Sequence, residues 1–259
     1  MKNFNQNNNS ISEEAINLII TRYNIPTTFG KKTELKAYKK EWLIQRKEFF
    51  INFCYPSILK QKNQNFYWFI LFGKETDLKY IESLGTGFIP ILAQSFDEGI
   101  KLIKETLNKY LNNKKYKFSI TRLDSDDALS NNFMEVINNF VSSDLYPLFN
   151  NKFALNLRTG LELDINFNVY KRDFPNNSFS TVFEYTEALN LNSIYSFDHN
   201  NLSKLYNTFS LTSEDLPFWT MNIHDDNVGN TIKGKRLTLK DIYSLQHTYL
   251  PFKIDLNKQ

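Results

Sequence analysis

The stretch with the clearest chemistry is Thr121-Arg122-Leu123-Asp124-Ser125-Asp126-Asp127-Ala128-Leu129, where an apolar run delivers three carboxylates into a tight turn. Carboxylates this close repel one another, and a bound cation is a natural way to keep them all charged. Oxygen donors alone favour Mg²⁺ or Mn²⁺, ions that keep open positions for substrate phosphates. A calcium EF-hand loop begun at Asp124 would find Glu135 at its twelfth position, but Ala128 stands where an oxygen ligand is needed and Leu129 where glycine is needed. A phosphatase of the Asp-x-Asp-x-Thr type would need threonine in place of Ala128. Both fail. Capping of the following helix by these acids fits the local sequence as well as a metal site does.

Such a turn needs a strand before it and a helix after it. Residues 116–123 read as that strand, and Phe133, Val136, Ile137, Phe140 and Val141 form one face of the helix. Further strands are predicted at 15–23, 67–72 and 88–92; the second, Tyr-Trp-Phe-Ile-Leu-Phe, is apolar throughout, as a strand covered on both faces must be. A helical stripe runs through Leu35, Tyr38, Trp42, Phe49 and Phe53, and Pro56 kinks or restarts it. Ser95 and Glu98 form a capping box that opens a helix with Phe96, Ile100, Ile103, Leu107 and Tyr110 on its apolar face.

The alternation of strand and helix argues for an α/β sandwich around a mainly parallel sheet flanked by helices, with ligands beyond the carboxyl ends of its strands. After residue 150 the pattern changes. Leu155, Leu157, Leu161, Leu163 and Ile165 alternate around Arg158-Thr159-Gly160, which predicts a β-hairpin. Short strands are expected at 193–197 and 218–223, and Thr238 with Asp241 opens a last helix to about 250. The polar, Asn-rich residues 1–12 read as a disordered tail, leaving 13–259 as one domain: a nucleotide-binding half to about 150, then a half that completes the metal and acceptor sites.

Composition narrows the function classes. The chain has 259 residues and a formal net charge of +3, without the clustered basic face that nucleic acid requires. Cys54 is the only cysteine, which excludes an internal disulfide and a multi-cysteine zinc site and fits a reducing compartment. No apolar run approaches the length of a membrane span and no secretory leader is evident, so a cytoplasmic protein is expected. The lysine-rich polar side of 31–47 allows at most peripheral contact with the inner membrane face, and a plain solvated face explains it equally simply.

Several blocks, in order, resemble the putative rhamnosyltransferase family of bacterial glycosyltransferases, which have a GT-A-like (Rossmann-like) fold. They are Ile20-Thr21-Arg22-Tyr23; Trp42-Leu43 with Arg46, Phe50 and Cys54-Tyr55-Pro56-Ser57; Gln61 with Asn65-Phe66-Tyr67-Trp68; the acidic block; Asn177-Ser178-Phe179-Ser180 with Glu184 and residues 195–199; and Trp219 to His224 with Asn227, Asn230 and Gly234. Together they span roughly 18–240. Asp225-Asp226 stands where small residues are expected, and Ser178-Phe179 where Pro-Phe is usual.

The resemblance implies transfer of a sugar from a nucleotide-diphosphate donor to a glycan or lipid-linked acceptor, assisted by Mn²⁺ or Mg²⁺. It implies Asp126 as direct metal ligand, Asp124 as ribose or outer partner, and His224 as the late histidine that completes the site. Asp127 is then a water-mediated ligand or the helix cap. Arg22 and Arg122, each after a Thr at a strand end, would clamp diphosphate oxygens if their strands are neighbours; surface ion pairs are the plain alternative. Thr21 and Asn227 fall in the donor-binding blocks. The base that deprotonates an acceptor hydroxyl is expected at Glu184, with Asp226 second. Trp219, Tyr195 and Phe179 could stack on rings, although aromatics are mostly core. Arg46 lies on an apolar stripe and needs a carboxylate partner, so it either orients an active-site acid or, as the favoured reading, has a structural role. Asp126→Ala is expected to abolish transfer with little loss of stability. A non-catalytic nucleotide-sugar-binding protein and a metal-assisted phosphoester hydrolase are the competing functions.

Overall fold

Four strands that run parallel to one another form the first part of the molecule's larger sheet. The computed structural model describes residues 15–26, 38–111, 114–192, 199–224, 231–248 and 250–252. The expected tail, the beginning of the lysine-rich helix and the strand at 193–197 lie outside the described residues. Strand β1 (Ala15–Arg22) runs parallel to β2 (Tyr67–Gly73) on one side, with β3 (Ile89–Ala93) parallel beyond it, and parallel to β4 (Tyr116–Asp124) on the other. The period of two along β1 sends Ile16, Leu18 and Ile20 into the core on one face and Ala15 and Ile19 into the core on the other.

The rest of the chain adds β5 (Ala128–Leu129), β6 (Lys152–Leu157), β7 (Thr159–Asp164), β8 (Val169–Asp173), β9 (Thr181–Thr186), β10 (Asn207–Leu211), β11 (Trp219–Ile223) and β12 (Lys235–Arg236). The large sheet has the order β10-β6-β9-β4-β1-β2-β3, with β9 antiparallel to both β4 and β6. A second sheet has the order β12-β8-β7-β11-β5. The expected α/β class, a mainly parallel sheet flanked by helices, is present.

The hairpin is not where the alternation of leucines placed it. β6 and β7 flank Arg158 but belong to different sheets; β7 instead pairs antiparallel with β8. Alternation shows that each strand has two unlike environments, but it does not show that consecutive strands pair. At the crossing, Arg158 spends its backbone groups on other partners: its N–H donates to the Leu211 carbonyl and its own carbonyl accepts from Phe174. Gly160 follows because the Trp219 ring lies where a side chain would be, its nearest atom 2.1 Å from an ideal Cβ.

Three helical details position the site. The helix Lys40–Phe49 passes through a wider π turn, Phe50–Cys54, into Tyr55–Leu59. Pro56 has no N–H to give the carbonyl four residues back, and just before it the Tyr55 N–H reaches the Phe50 carbonyl, five residues away. Phe50, Phe53 and Cys54 thereby face the core. The capping box forms, with Ser95 Oγ accepting from Glu98 N–H at 3.2 Å and the Glu98 carboxylate accepting from Gln94 N–H at 2.7 Å. The last helix, Leu239–Thr248, begins with the expected exchange: Thr238 N–H donates to the Asp241 carboxylate at 3.2 Å and Asp241 N–H donates to Thr238 Oγ1 at 3.3 Å. Among the described residues no helix is long and apolar enough to cross a membrane.

Candidate active site

β4 ends at Asp124, and the chain turns at once, Asp127 N–H donating to the Asp124 carbonyl at 3.1 Å. The two residues after the turn form β5, which pairs antiparallel with β11 through Ala128 opposite Thr220 and Leu129 opposite Trp219. That pairing brings residues a hundred positions later against the acids. Asn222 N–H donates to Asp127 Oδ1 at 3.0 Å, and the Asn222 side-chain amide donates to the Asp126 carbonyl. His224, just past the end of β11, places Nε2 3.0 Å from Asp126 Oδ2. The acidic turn thus lies beyond the carboxyl ends of parallel strands, where α/β sheets bind ligands.

Three arginines from three elements reach the same turn. β1 and β4 are neighbours, with Arg22 opposite Asp124 in register, and period two puts Arg22, Arg122 and Asp124 on one face. Arg22 lies 3.2 Å and Arg122 3.1 Å from the Asp124 carboxylate. Arg46, from the helix Lys40–Phe49, lies 2.7 Å from Asp126 Oδ2. Its guanidinium lies over the Trp42 ring, 4.7 Å from the centroid, and the His224 ring stacks on Phe49 at 4.4 Å.

The acids respond differently. Burial pushes the Asp124 carboxyl up, but Arg22 and Arg122 outweigh it and hold it below its ordinary value. Burial also opposes ionisation of Asp126, and Arg46 with His224 overcomes it, leaving that carboxyl far down. Asp127 has burial and two charged acid neighbours against it and rises well above the usual carboxylate range. Arg46 would lose basicity through burial, yet Asp126 and Asp124 raise it. Two carboxylates held in the charged form therefore stand beside a third that resists ionising.

The donor chemistry at Asp126 and His224 fits a divalent cation: a carboxylate oxygen and an imidazole nitrogen from different strands converge within 3.0 Å. Among the described residues no cluster of three or more His, Cys, Asp or Glu is arranged for a metal. A cation here would draw its other ligands from substrate phosphates and water, the habit of Mg²⁺ and Mn²⁺.

The sequence matches the family described as putative rhamnosyl transferase over residues 19–236. The chain belongs to that family. No curated protein matches the sequence. Of the solved structures similar to this family member, Staphylococcus aureus TarS is 11% identical with a TM-score of 0.45, covering 80% of this chain and 37% of that one. TarS 1–349 in complex with UDP is 12% identical with a TM-score of 0.44, covering 80% and 60%. A putative nucleotide-diphospho-sugar transferase from Desulfovibrio desulfuricans G20 is 12% identical with a TM-score of 0.37, covering 82% of each chain. The chain thus spans less than two thirds of the length of the TarS structures.

Two expected site residues of this glycosyltransferase family member stand elsewhere. Glu184 is opposite Phe118 on β9, six residues before Asp124 along β4 and so about 20 Å from the acidic turn at ~3.3 Å per residue. It is fully buried and accepts from the Asn192 backbone at 2.9 Å and the Asn192 side chain at 3.2 Å, with Lys152 at 3.7 Å. Such a carboxylate holds a loop; it does not reach an acceptor at the turn. Thr21 points to the face opposite Arg22, where its Oγ1 accepts from the Trp68 indole at 2.8 Å, so it is committed to the core. Trp219 and Phe179 are buried and stacked on each other at 4.7 Å, as core aromatics. His199 sits in a short 3₁₀ turn. Asp225, Asp226, Asn227 and Tyr195, and the His247 side chain, lie outside the described residues.

Asn222 is the residue the sequence reading missed. Its signal was present, since polar Thr220 and Asn222 alternate with apolar Trp219, Met221 and Ile223, and a strand with a buried polar side must satisfy it from a neighbour. The buried Glu162 was missed as well: it accepts from the Lys233 and Gly234 backbone at 2.8 and 2.7 Å and pairs with Arg172.

Proposed function

We propose that the chain transfers a sugar from a nucleoside-diphosphate donor to a hydroxyl acceptor at the acidic turn. The observation that carries this reading is the convergence of Arg22 and Arg122 on Asp124 with Arg46 and His224 on Asp126. Breaking the glycosidic bond leaves negative charge on the departing diphosphate, and fixed cations that already face the strand ends stabilise it without reorganising. Arg22, with its side chain 32% exposed, is the guanidinium most open to an incoming phosphate. Asp124 holds Arg22 and Arg122 side by side for bidentate contact with phosphate oxygens. Asp126 and His224 would hold a divalent cation, Mn²⁺ or Mg²⁺, which supplies Lewis-acid stabilisation of the same leaving oxygens.

Two clefts are candidates for the substrates, and residues of β11 beside the turn line the second. One of about 630 Å³ is lined by Asn24, Tyr38, Thr76 and Tyr80 beyond β1 and β2 and suits the donor's nucleoside. The other, about 260 Å³, is lined by Gln45, Glu48, Phe49, Asn52, Phe167 and Asn222, and its mixture of aromatic and amide groups suits a glycan acceptor. With Glu184 set aside, Asp226 is the remaining proposed base, two positions after His224. The family name makes rhamnose the first donor sugar to try, and the acceptor is a glycan or lipid-linked glycan. A contact with the membrane surface would follow only from a lipid-linked acceptor.

The test is a thermal-shift and calorimetric screen of UDP, GDP and dTDP with and without Mn²⁺, followed by the matching nucleotide sugars. Binding strengthened by Mn²⁺ and metal-dependent release of nucleoside diphosphate are expected. Binding without turnover returns the protein to a binding role. Inorganic phosphate released from simple esters points to a hydrolase.

A further inference from the structure

Trp42, Arg46 and Phe49 are spaced four and three apart and form one face of a helix that contains no fully buried residue. Contacts from that face close a ring: Trp42 carries the Arg46 guanidinium, Arg46 pairs with Asp126 Oδ2, the same oxygen meets His224 Nε2, and His224 stacks back on Phe49. Arg46 also reaches Ser125 Oγ at 3.5 Å. Its side chain is only 15% exposed and that of Asp126 only 7%. One carboxylate oxygen is therefore shared by a guanidinium at 2.7 Å and an imidazole at 3.0 Å, on the edge that would take a divalent cation.

Resting on the reading that such a cation binds at Asp126 and His224, we infer that Arg46 is the resident counter-ion of Asp126, which a divalent cation must displace. A guanidinium cannot give up its proton in a protein, so it yields the oxygen only by moving. When the site lacks a cation, Arg46 keeps Asp126 charged and turned toward His224. When a cation arrives, the competition weakens its binding. Arg46 is thus a positioning residue that sets how much cation, and hence how much donor phosphate beside it, is needed to assemble the site.

The experiment measures Mn²⁺ alone, by calorimetry and by the electron paramagnetic resonance signal of free Mn²⁺, on the full chain and on Arg46→Gln and Arg46→Lys. A cation that must share the ligand oxygen with a guanidinium 2.7 Å away meets like-charge repulsion, so Arg46→Gln should bind Mn²⁺ about tenfold tighter or more. Mn²⁺ should also raise the melting temperature of Arg46→Gln more than that of the parent. Arg46→Lys keeps a charge but loses the planar fork that lies on Trp42, and should fall between the two. It carries the test if Arg46→Gln does not fold. Mn²⁺ binding by the parent that neither variant tightens overturns the role of Arg46 alone. Absence of Mn²⁺ binding in every protein, with or without nucleoside diphosphate, overturns the cation site and this inference together.

Discussion

Replacing Asp126 with asparagine removes the partner of a guanidinium that is almost out of water. Read from the sequence, Asp126→Ala is expected to cost little stability; the burial of the Arg46–Asp126 pair argues the opposite. The side chains of Arg46 and Asp126 are 15% and 7% exposed, so solvent screens their 2.7 Å contact weakly. Breaking one side of a buried pair costs about 3–5 kcal/mol because the other charge is stranded. An asparagine oxygen still accepts from Arg46 or His224, which favours the lower end, about 3 kcal/mol. For a chain of this size 1 kcal/mol moves the melting temperature by about 2–4 °C, so Asp126→Asn should melt about 6–12 °C lower. Pairing it with Arg46→Met, an apolar chain that can still lie on Trp42, removes both charges and should recover most of the loss, with a coupling of about 2 kcal/mol. Urea unfolding of the four proteins at pH 7.5 measures the cycle. A single variant within about 1 kcal/mol of the parent, or a double variant no more stable than the single, would refute the claim that this pair is buried and coupled.

Four further outcomes are expected. Asp127→Asn keeps an acceptor for Asn222 N–H while removing a charge the fold opposes, so at pH 8 it should be at least as stable as the parent. Because folding raises the Asp127 carboxyl, its favourable contribution is complete below the unfolded value near ~3.9 and is lost as pH rises through the folded one; the gap between the two proteins should close on acidification, by urea titration at pH 8, 6 and 4.5. Asp124 and Asp126 are lowered, so their contribution holds above ~3.9 and fades as pH falls through their folded values, which gives the parent a loss of stability confined to pH below about 4. Glu184→Gln should leave transfer within about twofold of the parent in a turnover assay, since the residue is about 20 Å from the turn; a loss of turnover in a folded protein would restore it as the base. Gly160→Ala should cost about 1–3 kcal/mol or more in a thermal melt, because its Cβ would meet the buried Trp219 ring.

Much of the first half of the fold could be read from local pattern, because β2 is apolar throughout and the helices Phe96–Tyr110 and Phe133–Val141 carry clear apolar stripes, the first of them opened by a Ser95 cap. The second half could not, for a physical reason. β5 is two residues long and has no pattern of its own; it exists because β11 pairs with it from ninety positions away. β6 and β7 look like the arms of a hairpin, but Gly160 beneath Trp219 and the partners of Arg158 send them into separate sheets. Pairing between distant strands leaves no local signature, and alternation constrains faces without naming neighbours.

The site was legible where residue type and strand parity agree. Arg22 and Arg122, each after a Thr at a strand end, could be expected in one crevice if their strands are neighbours, and β1 and β4 are, with Arg22 opposite Asp124. The same parity shows why Thr21 cannot join them, since neighbouring residues on a strand face opposite ways. The choice of counter-charge was harder to see. Three crowded carboxylates suggest a metal when only the turn is in view, but the fold also brings Arg22 and Arg122 from two strands and Arg46 from a helix. An acidic turn already balanced by three guanidiniums survives without a cation and still offers Asp126 and His224 to one. On the inference drawn above, a cation would enter by exchange with Arg46, and its affinity would be set by a residue of a helix eighty positions before the acids.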